Sequence, residues 1–228
     1  MANLRIAEIF ASVQGEGLWL GTPSVFVRIS GCNLRCVWCD TPYASWEPEG
    51  ETMTVPEISA RLEGFGLRHV VVTGGEPMLF EPVVDLCRTL RAAGRTITIE
   101  TAGTVFREID CDLMSISPKL ANSLPAEESG WRQRHDSARG KPDVLQALME
   151  RHFYQLKFVA STADVPEIKA LLRELGNPPP DRVVLMAEGR DAETLHRKER
   201  ELVPICLAEG WRLSPRFHID LFGDTRGT

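Results

Sequence analysis

Short, almost unbroken runs of aliphatic and β-branched residues alternate with amphipathic stretches along most of this chain, and that alternation limits the fold more than any other feature. The runs are SVFVRIS at 24–30, HVVVTG at 69–74, TITIET at 96–101, DLMSIS at 112–117, YQLKFVA at 154–160 and RVVLMAE at 182–188. Near-continuous Val, Ile and Leu belongs to strands buried on both faces, as in a parallel sheet. Helical patterns lie between several of them, at 55–64, 79–94, 143–152, 165–176 and 192–210. Gly94, Gly176 and Gly210 stand where three of these helices end. Strand–helix alternation of this kind builds βαβ units. A closed eightfold barrel takes about 250 residues, more than the 228 available. The expectation is an α/β fold, an open or partial β/α barrel with about six parallel strands, forming a single domain over 1–228.

Ligands in such folds bind at the carboxyl ends of the strands. Cys32, Thr73–Glu76, Glu100–Thr101, Ser117–Lys119 and the Gln155/Lys157 pair fall at or near those ends, which predicts one mouth. The stretch LANSLPAEESGWRQRHDSARGKP, about 120–142, is polar, mixed in charge and free of a strand pattern. It reads as a polar insertion, a solvated loop or a disordered stretch rather than a lid or partner surface.

GCNLRCVWCD, at 31–40, holds three of the six cysteines. Cys87, Cys111 and Cys206 each stand alone among apolar neighbours and read as inert buried thiols. MANLRIAEIF has no leader pattern and no segment is long enough to cross a bilayer, so a cytoplasmic protein without membrane contact is expected. In that compartment clustered cysteines more often bind metal than form disulfides. A net charge of −6 argues against an extended nucleic-acid surface. Thiolates select zinc or iron–sulfur clusters. Closed zinc sites offer four ligands, often as paired C-x2-C units. Cys32-x3-Cys36-x2-Cys39 has no fourth Cys or His close by, the next being His69 and Cys87. Three cysteines on a cubane leave one iron open to an exogenous ligand.

The triplet, with Trp38 before its last cysteine, resembles the signature of radical S-adenosylmethionine (SAM) enzymes, and VVTGGEP at 71–77 resembles their Gly-Gly-Glu-Pro segment. The resemblance implies a partial barrel and a 4Fe–4S cluster whose free iron is chelated by SAM. Reductive cleavage of SAM then yields a 5′-deoxyadenosyl radical. SVQGEG (12–17), VFVRISGC (25–32), CDTPYASW (39–46), ETAG (100–103), SPK (117–119) and SPRFH near the end narrow the resemblance to the 7-carboxy-7-deazaguanine synthase family. It is dense to about residue 119 and thinner through 154–220. That family contracts 6-carboxy-5,6,7,8-tetrahydropterin to 7-carboxy-7-deazaguanine with loss of ammonia, in queuosine and deazapurine synthesis. SAM acts there as a regenerated cofactor, Mg2+ assists, and a flavodoxin-like or ferredoxin-like reductant and a homodimer are implied.

The resemblance carries roles onto matching positions. Cys32, Cys36 and Cys39 hold the cluster, and Thr41 offers a hydroxyl to Mg2+ where composition alone reads a turn. Val13, Gln14, Gly15 and Glu16 fall on the substrate-binding stretch; a carboxylate and an amide suit the N–H edge of a pterin. Arg28, in an apolar strand, needs an anion. Either the substrate carboxylate or an internal Asp or Glu would serve, and the family match favours the former. Thr73, His218 and the chain-terminal carboxylate at Thr228 are further substrate contacts. Trp38, Cys39, Asp40, Gly75, Ser117, Pro118, Lys119, Gln155, Leu156, Lys157 and Phe158 match the SAM site, although QLKFV reads equally as core strand with one snorkelling Lys. Glu16 and Glu100 are the acid–base candidates. Two other readings stay open: a glycyl-radical activating enzyme, which shares the triplet, and a zinc-bearing module without catalysis.

Overall fold

The computed structural model describes residues 3–228. In chain order the elements are β1 (Asn3–Val13), β2 (Pro23–Ile29), α1 (Pro42–Ser45), β3 (Glu51–Thr54), α2 (Val55–Glu63), β4 (His69–Gly74), α3 (Pro82–Ala92), β5 (Thr96–Thr101), β6 (Leu113–Ile116), α4 (Arg132–Ala138), α5 (Pro142–Arg151), β7 (Tyr154–Val159), α6 (Val165–Glu174), β8 (Val183–Met186), α7 (Ala192–Glu209), β9 (Arg212–Leu213) and α8 (Phe217–Phe222). One sheet of nine strands runs β3-β1-β2-β4-β5-β6-β7-β8-β9. From β2 to β9 every pairing is parallel, whereas β1 lies antiparallel to both β2 and β3. The sheet is not closed, so the expected open α/β barrel is what forms.

Local sequence explains the helix ends. At α2, the Thr54 hydroxyl accepts the Glu57 amide while the Glu57 carboxylate accepts the Thr54 amide at 2.7 Å, a reciprocal cap. Asp191 caps α7 through the Thr194 amide at 2.8 Å, and Gly210 ends it with φ 69°.

The six expected strands are present, but their faces are not alike. One face carries Val25, Val27 and Ile29 of β2, Val70 and Val72 of β4, Ile97 and Ile99 of β5, Leu156 and Phe158 of β7, and Val183 and Leu185 of β8. These join Leu86 and Leu90 of α3, Ile168 and Leu172 of α6 and Leu195 and Leu202 of α7 in one core cluster. Each such side chain is worth about 1.5–3 kcal/mol of burial. The opposite face carries Arg28, Thr73, Thr98, Glu100, Ser115, Gln155 and Lys157, with Arg28 beside Thr73 and Ser115 between Glu100 and Gln155 in register. Strand period 2 thus separates a helix-covered core from a polar barrel interior.

β1 is absent from the sequence reading. Its burial alternates through Leu4 and Ile6, the pattern of a strand covered on one face, and a search for continuous apolar runs passes over it. The 120–142 stretch departs from expectation too. It is no solvated loop: it forms turns at Ala121–Ser123 and Glu127–Ser129, then α4, and it buries Ser123, Pro125 and His135.

Candidate active site

A cavity of about 470 Å3 opens at the carboxyl ends of the parallel strands. Val13 to Glu16 reach it from the end of β1, Arg28 from β2, Thr73 to Gly75 from β4, Glu100 from β5, Ser117 and Lys119 from the chain after β6, and Lys157 from β7. The cysteine loop contributes Cys32, Cys36, Trp38, Cys39, Asp40 and Thr41. His218 of α8 and the tail from Asp224 to Thr228 complete the lining. Residues more than 200 positions apart, such as Val13 and His218, therefore share one mouth, as the strand-end pattern predicts.

Pro118, Gln155, Leu156 and Phe158 are the matched positions that do not line it. Leu156 and Phe158 point into the core, since residues on either side of Lys157 face away from the barrel interior. Gln155 is buried beneath the floor. Its Nε2 donates to Ser115 Oγ at 2.7 Å and its Oε1 accepts the Leu18 amide at 2.8 Å. It braces the turn after Glu16, and Leu156 and Phe158 offer a ligand only their main chain.

Tight backbone approach builds the β4 end. Gly75 donates its amide to Ile29 O at 3.0 Å, and a Cβ there would stand 2.3 Å from Gly31 O and 2.6 Å from Ala44 O. Only glycine lets the cysteine loop pass so near. Glu76 is turned inward. Its carboxylate accepts from Thr101 Oγ1 and the Ala102 amide, both at 2.7 Å, and from the Met78 amide at 3.0 Å. Burial nevertheless raises its pKa above the ordinary value, against those three donors. The Glu of GGEP thus joins β4 to β5.

The polar interior is a charge frame. Glu16 pairs with Lys157, and its other oxygen accepts from Arg216 Nε at 3.2 Å. Burial alone would raise the Glu16 pKa. Lys157, Arg216 and His218 outweigh it and hold the group far below the carboxylate range. Burial likewise opposes the charge on Lys157, but Glu16 and Glu100 raise its pKa above the ordinary value. Glu100 accepts from Gln14 Nε2 at 3.2 Å and Thr73 Oγ1 at 2.9 Å. His218 packs over Gly15, where a Cβ would meet its Nδ1 at 2.2 Å. Burial lowers its pKa below the ordinary imidazole value, with Glu16 opposing.

Arg28 has the internal partner that the sequence left open. Its Nε donates to Glu8 Oε1 at 2.6 Å, and Tyr43 OH donates to the same oxygen at 2.8 Å. The two terminal nitrogens of Arg28 have no hydrogen-bond partner among the described residues, and the side chain lines the cavity.

Arg216 is the principal residue that sequence reasoning missed. It is 8% exposed and joins Glu16, Asp40 and the Gly189 carbonyl, the last at 2.7 Å. The SPRFH stretch pointed only to His218; no local signal ties Arg216 to a carboxylate 200 residues earlier. Arg226, which donates to Glu8 at 3.3 Å and to Glu49 at 3.0 Å and stacks on Tyr43 at 3.9 Å, was missed likewise.

The donor set of the loop fits an iron–sulfur cluster. All six cysteines are free, and Cys32, Cys36 and Cys39 pack in one satellite cluster around Leu34 and Ala102. Among the described residues no three His, Cys, Asp or Glu side chains come close enough to hold a single ion. A closed zinc site takes four ligands, whereas three thiolates suit a cubane with one iron left open. Burial pushes the Cys32 thiol up to about 12 and the Cys36 thiol up to about 11, so both hold their protons until a cation displaces them. The Thr41 hydroxyl makes no capping bond to α1 and lines the cavity.

Residues 26–123 match the radical SAM superfamily. The 7-carboxy-7-deazaguanine synthase of Halobacterium salinarum is 43% identical over 238 residues, covering 99% of this chain and 93% of that relative. The enzyme of that name from Rhodopirellula baltica is 43% identical over 231 residues, covering 100% and 90%. The crystal structure of QueE from Escherichia coli shares the fold, with a TM-score of 0.68 over 95% of both chains at 24% identity. No helix among the described residues is long and apolar enough to cross a membrane. Identity sustained along the whole length, on an open barrel that carries the three-cysteine loop at its mouth, leaves one conclusion: this chain belongs to the 7-carboxy-7-deazaguanine synthase family of radical SAM enzymes.

Proposed function

We propose that the chain converts 6-carboxy-5,6,7,8-tetrahydropterin to 7-carboxy-7-deazaguanine, releasing ammonia. The observation that carries this reading is that the three-cysteine loop and the charge frame open into the same cavity. The Cys32, Cys36 and Cys39 thiolates would hold a 4Fe–4S cluster. With SAM bound, that cluster supplies one-electron cleavage of the sulfonium to a 5′-deoxyadenosyl radical.

The protein's own groups supply recognition. Glu16, kept anionic, presents an acceptor to the N–H edge of a pterin, and Gln14 holds Glu100 beside it. The free edge of Arg28 suits the substrate carboxylate as a planar fork. A carboxylate so firmly ionised is a poor proton donor, so Glu16 anchors substrate, and Glu100 is the remaining acid–base candidate. Ser117 and Lys119, 2.8 Å apart, suit the hydroxyl and carboxylate groups of SAM. The Thr41 hydroxyl, which lines the cavity and has only a long 3.9 Å contact to Cys39 Sγ, supports an Mg2+ ligand, with substrate oxygens and water completing the octahedron.

Reconstituted, reduced protein incubated without oxygen with SAM, carboxytetrahydropterin and Mg2+ tests the reading. Deazaguanine product and ammonia in equal amounts are expected. SAM cleavage with no deazaguanine at any Mg2+ concentration would overturn the substrate assignment.

A further inference from the structure

The 120–142 segment, whose sequence suggested no role, packs on the cysteine loop. We propose that His135 is a positioning residue for that loop: its ring braces the Arg35 amide, so that Cys32 and Cys36 stay at the spacing a cluster needs. The inference rests on the cluster reading above.

His135 lies in α4 and is 0% exposed. Its Nδ1 accepts the Arg35 backbone N–H at 3.0 Å, and Arg35 directly precedes Cys36. Its Nε2 lies 3.0 Å from Ser123 Oγ. The Ser123 hydroxyl donates its own proton to Leu120 O at 2.6 Å, so it can only accept from the ring. This relay fixes the tautomer. Nε2 carries the hydrogen, and Nδ1 keeps the lone pair that the Arg35 amide requires.

The same segment holds the loop on both sides of Cys36. Ser123 O accepts the Val37 amide at 3.0 Å, and Asn122 O accepts Trp38 Nε1 at 3.1 Å. Trp131 stacks on the Arg35 guanidinium at 4.1 Å, while Arg35 NH1 donates to Cys32 O at 3.0 Å and Leu34 O at 2.7 Å. The ring of His135 is therefore aimed at the loop and not at its own helix. Groups that orient metal ligands from behind govern how firmly the metal is held and tune its potential.

Three variants separate orientation from packing. The Oδ1 of His135→Asn stands near the Nδ1 position and keeps the acceptor; the side chain of His135→Gln reaches the Nε2 position and loses it; His135→Leu removes both. Reconstituted holoprotein is challenged anaerobically with an iron chelator, the cluster midpoint potential is measured, and the melting temperature of each apoprotein is recorded. The Leu and Gln variants are expected to release iron about 10-fold faster or more, with a shifted potential, and the Asn variant to stay within about 2-fold of wild type. Wild-type release from the Leu variant, or release from Asn as fast as from Leu, would overturn the proposal. Should the histidine variants fail to fold, Ser123→Ala, which frees the ring to take the other tautomer, carries the test. Faster release upholds the proposal and wild-type release overturns it. Wild-type protein that cannot take up a 4Fe–4S cluster would sink the cluster reading itself. Full wild-type loading with equal release from every variant sinks this inference alone.

Discussion

Arg28 gives its Nε to Glu8 and leaves its terminal nitrogens to the cavity, and that division sets what its loss should do. Arg28→Ala should leave iron content unchanged and weaken substrate binding about 100-fold, the ~3 kcal/mol of a charge-assisted bidentate contact. Unchanged affinity in a binding titration would make the arginine purely structural. Glu16 and Lys157 fix the pH behaviour. The folded pKa of Glu16 lies below the ordinary carboxylate value, so its contribution is complete above that value and fades only as pH falls through the lower folded one. For Lys157 the folded pKa lies above the ordinary ammonium value, so its contribution is complete below that value and is lost only as pH rises past the folded one. Between about pH 6 and 9 this pair should leave kcat/KM flat. Lys157→Met leaves Glu16 buried with Arg216 and His218 alone, so its pKa rises, and the acid limb should move up by about one unit or more. A profile identical to wild type would show that Lys157 does not tune Glu16.

At the scale of elements, the mouth depends on how closely the β4 end and the cysteine loop approach. Gly75→Ala places a methyl against two backbone carbonyls that cannot rotate away. The apoprotein melting temperature should fall by about 5 °C, as overpacking costs about 1–3 kcal/mol. An unchanged melting curve would mean the loop yields freely. The six parallel strands were legible because each is a dense apolar run. β1 was not, because Leu4 and Ile6 alternate with exposed neighbours; β3 and β9, at four and two residues, carry too little pattern. The candidate site was legible where a motif is local: the cysteine triplet, VQGEG and TGGEP. Arg216 and Arg226 escaped because the carboxylates they pair with lie near the other end of the chain.

For the whole molecule, the cysteine triplet lies outside the main core, in a small satellite cluster. Cluster assembly and folding of the barrel should therefore separate. Cys36→Ala should bind no 4Fe–4S cluster and cleave no SAM, while its apoprotein melts within about 2 °C of the wild-type apoprotein, since only one small side chain at the edge is lost. Full iron content in that variant would remove Cys36 from the ligand set. Sequence alone determined the layered alternation of strands and helices and the presence of a three-thiol loop, because hydrophobic period and cysteine spacing are local properties of the chain. Tertiary structure alone decided which face of each strand became the polar interior, which cation neutralises Glu16, and that the 120–142 segment grips the cysteine loop. Those outcomes depend on electrostatic and hydrogen-bond partners that come together only when the sheet curves, and no spacing along the chain encodes that proximity.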